Sequence, residues 1–263
     1  MKTLPTTQAI SQAEQIEITQ IIIKAGQLLA WYGAESRIIE QTTCRLGAAL
    51  GIEKVEMAIS SSALVLTTLH QGQSHTTTRR VSELGINMHM VCEIQRICIM
   101  AEKGVLSLAE VRQRLYSLKP YFHNRWALAL MIGLSCAAFS QLFGGDWPVF
   151  GWTFISATLG MLVRQELTKR HFNPLIVFGG TAYVTTLIAS LASRFAWGEH
   201  PYLVMASSVL LLVPGFPLVS GVDDMVKGYF NMGWGRLCMA TLIVLNISIG
   251  IVLAMVTTSV WGG

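Results

Sequence analysis

A helix break followed by two acidic residues is the stretch of this sequence best suited to chemistry. An apolar run from about Tyr202 meets Pro214-Gly215-Phe216-Pro217, and Asp223 and Asp224 follow within two helical turns. Each proline lacks an amide hydrogen, and its ring clashes with the carbonyl four residues earlier, so a continuous helix is costly here. In lipid, the freed backbone groups must face protein or a water-filled cavity. Broken helices of this kind form substrate sites in many transporters, whereas a plain Pro-Gly kink would only bend a packed helix.

A second group of candidate side chains lies in the polar first half of the chain. Its members belong to or adjoin predicted strands, or open a predicted helix: Ser61, Ser62, Thr77, Arg79, Arg80 and His89. A serine nucleophile with a histidine base would perform acyl transfer, but the chain has no G-x-S-x-G turn and no acid clearly paired with the histidine. We therefore favour solvent-facing strand residues over hydrolysis. The arginine pair either binds an anion or is simply solvated.

The distribution of charge divides the chain into two parts. The sequence is 52% hydrophobic and only 13% charged, whereas a soluble domain carries about a quarter charged residues. Residues 1–125 hold 23 of the 34 Lys, Arg, Asp and Glu side chains, and 11 remain for the other 138 residues. We expect a water-soluble domain over 1–120 and a membrane domain over 121–263. The net charge of +4 is too small and dispersed to indicate nucleic-acid binding.

The first part has the pattern of a small α+β domain. Capping-box patterns mark two helix starts, Ser11 with Glu14 and Ser107 with Glu110. Apolar residues at helical spacing mark the helices, and the short stretches between them contain Val, Ile and Thr, which favour strands. In order, we expect helices over about 11–33 and 34–50, strands over 55–59, 63–69 and 74–80, and helices over about 87–103 and 107–118. About a hundred residues suffice for a separate hydrophobic core.

The second part contains five apolar segments, each near the twenty residues or so that a bilayer requires. They cover residues 126–143, 147–162, 174–192, 202–221 and 237–261. Six tryptophans cluster near the segment ends, as aromatic belts at the membrane surfaces predict: Trp126, Trp147, Trp152, Trp197, Trp234 and Trp261. The expected fold class is an α-helical integral membrane protein with five transmembrane helices, one broken at Pro-Gly-Phe-Pro, and an N-terminal cytosolic α+β domain.

Basic residues beside the apolar segments predict the orientation. One side has seven such residues, which are Lys119, Arg125, Arg164, Lys169, Arg170, Lys227 and Arg236. The opposite side has one, Arg194. By the positive-inside rule the first domain is cytoplasmic, and five spans would leave the C-terminus in the periplasm. The polar N-terminal stretch lacks the apolar h-region of a cleaved signal peptide.

Polar residues inside the apolar segments are few. They are Ser135, Ser156, Thr158, Thr181, Thr185, Thr186, Asn246 and Ser248. We interpret the hydroxyls mainly as packing residues, because Gly133 with Ala137 and Ser156 with Gly160 fit the small-xxx-small pattern of close helix packing. Asn246 is the exception, since an amide in the middle of a membrane needs a partner.

No cofactor or metal is expected from the motifs of this chain. The five cysteines include no C-x-x-C pair, and no G-x-x-x-x-G-K-[ST] loop for ATP phosphates is present. The cysteines are best interpreted as reduced, structural thiols.

Four motifs together resemble the threonine/serine exporter family. They are Gly33-Ala34-Glu35-Ser36, the SSSALVLTT run at 60–68, Gly85-Ile86-Asn87-Met88-His89, and VPGFPLVSGVDDMVKG at 213–228. The resemblance extends over about residues 15–258, and the last motif is specific. Fused family members place a cytosolic domain before about ten spans. A chain with five spans therefore resembles the larger subunit of the split form.

The resemblance implies a subunit of a secondary exporter in the bacterial inner membrane. It would move a small carboxylate, in the first place succinate, out of the cytoplasm together with a smaller multispan membrane subunit. Threonine or serine is the alternative substrate, because the family includes exporters of both kinds. Two other classes stay open: a membrane-anchored enzyme or sensor acting through its cytosolic domain, and an assembly subunit without substrate contacts.

Within this hypothesis the substrate site is the break at Pro214–Pro217. The helix after it would offer amide donors and a positive dipole end to a carboxylate. Lys227 and Arg236 would attract a dianion at the cytoplasmic mouth. Asp223 or Asp224 would carry a coupling proton if desolvation and the neighbouring acid raised its pKa. We favour the other interpretation, in which both acids are solvated at the membrane edge and paired with Lys227.

Overall fold

The computed structural model of the chain describes residues 10–81, 85–120, 124–195 and 198–259. These residues are mostly helical, with one small sheet. In chain order the elements are α1 (Gln12–Trp31), α2 (Ser36–Ala49), β1 (Lys54–Ile59), β2 (Ala63–His70), β3 (Gln73–Arg80), α3 (Met88–Glu102), α4 (Leu108–Ser117), α5 (Arg125–Leu142), α6 (Trp147–Lys169), α7 (Pro174–Arg194), α8 (Tyr202–Val209), a 3-10 turn (Leu210–Leu212), α9 (Gly215–Val226) and α10 (Phe230–Thr258). Trp197 and Trp261, and with Trp261 the end of the last expected span, lie outside the described residues.

The caps expected in the first part are present. The Ser11 hydroxyl accepts a hydrogen bond from the Glu14 amide at 3.2 Å. Ser107 and Glu110 form a complete capping box at the start of α4. Both motifs satisfy amide groups that have no partner inside the helix. The helices and strands predicted between residues 11 and 118 are confirmed to within a few residues at each end.

The sheet is antiparallel with the order β1-β2-β3. Along β2 every second residue is buried, beginning at Leu64, because successive side chains point to opposite faces of a strand. Strand β3 is at the edge, and its Thr76 and Thr78 are exposed. The expectation that strand threonines face solvent holds for Thr76 and Thr78, whereas Thr77 is half-buried and Thr68 of β2 is fully buried.

The structure divides into two compact units. The first consists of Met1–Tyr121 and Val219–Leu237, and the second of Phe122–Leu218 and Cys238–Gly263. Within each unit only the described residues are considered.

In the first unit, α1 is central and 12 of its 20 residues are buried. The other helices and the sheet pack around it, which leaves little of its surface for solvent. Its polar residues are satisfied inside the core: Gln15 donates to the Thr68 carbonyl at 3.2 Å, and the Thr19 and Thr68 hydroxyls are 2.7 Å apart.

The first unit also contains the end of α9 and the beginning of α10, a segment far away in sequence. The two helices approach closely at Gly221 and Gly233, where a Cβ added at Gly233 would come within 2.6 Å of the Gly221 carbonyl oxygen. A Cβ added at Gly235 would come within 2.6 Å of the Ser61 Cβ. Glycine is therefore required at these positions to let α9, α10 and the β1–β2 turn meet.

The apolar helices run from α5 to α10, and most of their residues belong to the second unit. Three helices, α5, α7 and α10, are long and apolar enough to cross a membrane. Helix α8 with its 3-10 turn and α9 together pass the same test as a pair bent by 53°. Helix α6 has 23 residues, but its Trp, Pro, Gly and Thr residues make it less apolar. The described chain thus has the features of a helical membrane protein with three or four candidate spans.

The expected break in the fourth apolar segment is present. Helical residues stop at Leu212 and resume at Gly215, with Val213 in an extended conformation (φ −59°, ψ 122°). A residue that precedes proline is disfavoured in the helical region because the proline ring clashes with it. Pro214 therefore accounts for the interruption. Pro217 lies in the first turn of α9, where the missing amide hydrogen of a proline is tolerated.

Candidate functional site

A buried ion pair lies at the centre of the segment after the break. Asp224 is on α9 and Arg236 is on α10, and the Arg236 Nη1 donates to Asp224 Oδ2 at 2.8 Å. The side chains are 0% and 4% exposed. Removing both charges from water is costly, and such a pair persists only where further hydrogen bonds satisfy its remaining atoms.

Those further bonds come from the connection between α1 and α2. Asp224 Oδ1 accepts the Ser36 amide at 3.1 Å, and Arg236 Nη2 donates to the Ala34 carbonyl at 2.9 Å. Ser36 is the first residue of α2, and the local capping residue Glu35 makes no capping hydrogen bond. The Asp224 carboxylate thus takes the place of an N-cap for α2, at the end of a helix that favours negative charge.

A second, more exposed ion cluster surrounds Lys227. The Lys227 Nζ lies 2.5 Å from Asp223 Oδ2 and 2.9 Å from Glu35 Oε2. Hydrogen bonds to Asp223 and Glu35 raise the pKa of Lys227. The two adjacent acids therefore have different environments, since Asp223 pairs with Lys227 and Asp224 with Arg236. The expected pairing with Lys227 is confirmed for Asp223. The expectation that Asp224 is also solvated and paired with Lys227 is wrong, because Asp224 is 0% exposed and pairs with Arg236.

The connection between α9 and α10 has one further contact with α2. The Tyr229 hydroxyl donates a hydrogen bond to Glu40 Oε2. Burial, followed by this hydrogen bond, raises the pKa of Tyr229 to about 12, so the phenol keeps its proton. The Tyr229 amide donates to the Asp224 carbonyl at 2.8 Å, which ends α9 in a fixed geometry.

The break itself has fewer free amide donors than the sequence led us to expect. The Gly215 amide donates to the Val213 carbonyl at 2.8 Å, and the Leu218 amide to the Pro214 carbonyl at 3.2 Å. Pro217 has no amide hydrogen. Pro214 is buried, whereas Gly215 and Phe216 are exposed.

Comparison with known proteins decides the family. The family model described as "Putative threonine/serine exporter" (ThrE) matches residues 20–258. The chain belongs to the threonine/serine exporter family. No solved structure matches it.

Three relatives within this family bear on the function. A Klebsiella aerogenes protein named "Probable succinate transporter subunit YjjP" is 46% identical over 252 residues, which cover 95% of this chain and 96% of that protein. The Escherichia coli K12 protein of the same name is 43% identical over 250 residues, with the same coverage. A Mycobacterium tuberculosis protein named "Probable threonine/serine exporter" is 21% identical over 258 residues, which are 95% of this chain but 48% of that protein.

Three motifs of this exporter-family chain, and residues 219–228 of the fourth, lie in the first unit. The α1–α2 connection with Ala34 and Ser36 binds Asp224 and Arg236, as described above. The Asn87 amide donates to the Tyr32 carbonyl at 3.1 Å, which joins the Gly85–His89 motif to the same connection. The serine turn contacts α10 at Gly235. Residues that first suggested the family are thus close in space.

The six candidates in the α+β domain do not form a catalytic group. Ser61 and Ser62 are exposed in the β1–β2 turn, Arg79 and Arg80 are exposed at the end of β3, and His89 is exposed in the first turn of α3. Thr77 is half-buried on β3. Arg79 donates to Gln20 Oε1, and the backbone carbonyl of Arg80 accepts from Gln27 at 2.9 Å.

The structure gives no sign of a metal site in the parts of the chain that it describes. No group of three or more His, Cys, Asp or Glu side chains is placed to hold an ion in residues 10–81, 85–120, 124–195 and 198–259. All five cysteines are free thiols. Burial raises the pKa of Cys98 to about 12, so this thiol is unreactive.

Asn246 is half-buried on α10, beside a cleft of about 380 Å³ between α7 and α10. Its amide nitrogen donates to the Leu242 carbonyl of its own helix at 2.9 Å. The partner that an intramembrane amide needs is therefore found locally. The cleft is lined mainly by apolar residues and by Gly179, Gly180 and Gly250.

Sequence reasoning missed the residues that contact the buried pair and those that contact Lys227 and Tyr229. Ala34, Glu35 and Ser36 enter the sequence analysis only as part of a family motif, and Glu40 does not enter it. The signal at Ser36 is weak, because a helix start without a local capping side chain is common. At Asp223 the spacing of four residues to Lys227 is a usable signal for a helical ion pair.

Proposed function

We propose that this chain is a subunit of a secondary exporter that moves a small carboxylate, in the first place succinate, out of the bacterial cytoplasm. The observation that carries the proposal is the 46% and 43% identity, over 95% of the chain, to two proteins named as probable succinate transporter subunits. The interrupted helix at Pro214 supports it, because broken membrane helices can present backbone groups to a substrate. In this proposal the chain is not an enzyme.

The proposed partner is a smaller multispan membrane subunit. The relatives in Klebsiella aerogenes and Escherichia coli are named as subunits. The alignment with the Mycobacterium tuberculosis exporter covers 48% of that protein, so about half of it has no counterpart in this chain. A separate subunit would supply the missing half and complete the substrate site.

The proposed arrangement in the inner membrane has a cytosolic domain over 1–120 and five spans within 121–263. Three helices and the bent pair provide four apolar segments. Helix α6 would be the fifth, since its 23 residues are long enough and it packs against both α5 and α7. The excess of Lys and Arg on one side of these segments favours a cytosolic first domain and a periplasmic C-terminus.

The break residues Pro214, Gly215, Phe216 and Pro217 are proposed as part of the substrate site. Asp223, Asp224, Lys227 and Arg236 are engaged in ion pairs, and we propose that they hold the chain after the break in place. Asn246 would contribute through the cleft that it lines. The candidates Ser61, Ser62, Thr77, Arg79, Arg80 and His89 belong to the alternative in which the cytosolic domain binds a ligand.

We predict that the chain exports no succinate by itself, because half of the proposed site is missing. Proteoliposomes with the purified chain should lose preloaded labelled succinate no faster than protein-free vesicles. Co-reconstitution with the smaller membrane subunit should restore efflux. Full activity of the single chain would contradict the split-transporter proposal.

Threonine or serine is the second candidate substrate, favoured by the family model and the Mycobacterium tuberculosis relative. The same proteoliposomes, loaded with labelled threonine or serine, separate the two substrates. If the amino acid left the vesicles and succinate did not, threonine or serine would replace succinate as the proposed substrate. If residues 1–120 in the intact chain bound or converted a ligand while no substrate crossed the membrane, the enzyme or sensor alternative would be favoured.

The orientation makes a separate prediction. A reporter that is active only in the periplasm should give signal when it is fused after the last residue of the chain and none when it is fused after Leu118. The reason is that an odd number of spans places the two fusion points on opposite sides. A reporter that is active only in the cytoplasm serves as the matched control and should give the opposite pattern. If the periplasm-active reporter gave signal when fused after Leu118, the proposed orientation would be wrong.

A further inference from the structure

Eight hydroxyl groups in α6, α7 and α8 are buried and have no hydrogen-bond partner among the described residues. Six of them belong to residues that are themselves 0% exposed, namely Thr153, Thr181, Thr185, Thr186, Ser207 and Ser208. A buried hydroxyl without a partner costs free energy, because it has lost its hydrogen bonds to water. Native proteins contain few such groups, and a cluster of them requires an explanation.

Other hydroxyls in the second unit do not share this property. Ser190 on α7 is 1% exposed and its hydroxyl donates to the Leu187 carbonyl at 2.7 Å. Ser140 on α5 and Thr258 on α10 likewise donate to carbonyls of their own helices. Bonding of this kind is the usual solution for Ser and Thr inside helices. The unpaired hydroxyls are therefore not a general consequence of burial in this unit.

The contacts of α6 with α7 show how the unpaired groups are placed. The Ser156 hydroxyl donates to the Thr185 carbonyl at 2.8 Å. A Cβ added at Gly160 would come within 2.1 Å of Thr185 Oγ1, so the glycine lies directly against this hydroxyl. One turn further on, the Arg164 guanidinium lies over the Phe178 ring, 4.6 Å from its centroid. Positions 153, 156, 160 and 164 share one face of α6 by helical spacing.

Arg164 adds a positive charge at one end of this interface. It is partly buried, and no carboxylate lies within 4 Å of it in the described parts of the chain. Its neighbour in sequence, Glu166, pairs instead with Arg170 at 3.2 Å and with Arg125 at 3.8 Å. An ionisable residue within or beside a membrane span that lacks an opposite charge is a candidate for ligand binding.

We propose that the interface of α6, α7 and α8 is the substrate-binding surface for the carboxylate, with the hydroxyls as donors and Arg164 as the charged group at its entrance. Hydroxyls donate to carboxylate oxygens without carrying a charge of their own, and a guanidinium binds a carboxylate through two parallel hydrogen bonds. In the present conformation the helices are packed together at Gly160. Separation of α6 from α7 would expose the donors to the substrate.

This inference rests on the proposed export of a small carboxylate and extends the site beyond the break. Ser207 and Ser208 lie on α8, which leads through the 3-10 turn directly to Pro214. Succinate and the carboxyl group of threonine or serine share the chemistry that the surface would recognise. The test therefore includes both kinds of substrate.

The test is a set of substitutions in the complex with the smaller subunit. Thr181→Val combined with Thr185→Val removes two unpaired hydroxyls at nearly constant shape, and Arg164→Gln removes the charge. We expect each variant to raise the substrate concentration for half-maximal efflux at least ~10-fold, the size of effect expected when a ligand loses a hydrogen bond to a charged group. Thermal stability of the valine variant should hold or rise, because its hydroxyls have no partner to lose.

Ser190→Ala, on the same helix and equally buried, is the matched control and should leave efflux unchanged. Wild-type efflux from both the double valine variant and Arg164→Gln would overturn the proposal and leave the hydroxyls as packing residues. If the wild-type complex moves threonine but not succinate, and the variants lose threonine efflux, the surface stands and only the substrate changes. If the wild-type complex moves no carboxylate at all, the proposed function fails, and this inference fails with it.

Discussion

Asp224→Asn should lower the free energy of unfolding of the chain by about 3–5 kcal/mol, the cost typical of breaking a buried ion pair from one side. The substitution leaves the buried Arg236 side chain, 4% exposed, without a counter-charge. It also weakens the cap on the Ser36 amide, since a neutral amide oxygen is a poorer acceptor than a carboxylate. Equilibrium unfolding of the intact chain in mixed micelles measures the effect.

The adjacent residue provides a matched control. Asp223→Asn removes a similar charge one position earlier, but Asp223 and its partner Lys227 are 35% and 27% exposed. An exposed pair of this kind contributes little to stability, because solvent screens it. If Asp223→Asn and Asp224→Asn lowered the free energy of unfolding equally, the burial of Asp224 would not explain its contribution to stability.

A double substitution measures the interaction between Asp224 and Arg236 separately from the contribution of each side chain. Asp224→Leu with Arg236→Met removes both charges, so no uncompensated charge remains buried. We expect this variant to be more stable than either single substitution, with a loss smaller than the sum of the two. A loss equal to the sum would mean that the side chains act independently, which their 2.8 Å hydrogen bond makes implausible.

The same geometry bears on the coupling proton. Both carboxylate oxygens of Asp224 accept hydrogen bonds, one from the Arg236 guanidinium and one from the Ser36 amide. The side chain is 0% exposed, so it has no contact with water. The arrangement therefore favours an anchoring role for Asp224 over proton transport, and Asp224→Asn should reduce efflux through loss of structure at every pH.

The sequence was sufficient to predict the elements of the α+β domain, because their signals are local. The Ser107–Glu110 box, the Asn87 cap and the alternation along β2 each depend on residues a few positions apart. The break at Pro214 is predictable for the same reason, since a proline acts on its immediate neighbours.

The candidate site could not be predicted to the same degree, because its contacts join distant parts of the chain. Ser36 and Asp224 are 188 positions apart. Two adjacent helical residues point about 100° apart around the axis, so Asp223 and Asp224 reach different partners although they look alike in sequence. Whether a buried hydroxyl such as that of Thr185 has an acceptor depends on how the neighbouring helices pack. The spacing of residues in the sequence does not predict that packing.

Pro214→Ala should abolish efflux while the stability of the chain holds or rises. The substitution restores an amide donor and removes the ring that keeps Val213 extended at ψ 122°. Each proline inside a helix opposes helix formation by about 3 kcal/mol. Without the ring, Val213 and residue 214 can adopt helical angles, and α8 and α9 can join into one helix.

The structure distinguishes the two prolines of the motif. Pro217 is the third residue of α9, where its missing amide hydrogen removes no bond within the helix. Pro217→Ala should therefore leave the break in place, so it separates loss of the break from loss of the Pro217 side chain at the proposed site. The pair of substitutions together should behave like Pro214→Ala alone. An equal loss of efflux from Pro217→Ala would instead show that the proline side chain at 217 itself meets the substrate or the partner.

The bend can be measured independently of transport. Tyr202 and Val222 are 54% and 53% exposed, so cysteines introduced there accept spin labels without disturbing the packing. In a cysteine-free background the distance between the labels should lengthen in Pro214→Ala, because straightening a 53° bend separates the helix ends. A longer distance with wild-type succinate efflux would mean that the interruption is only a kink. The proposed contribution of Pro214–Pro217 to the substrate site would then be wrong, whereas the hydroxyl surface of α6, α7 and α8 would still have its own test.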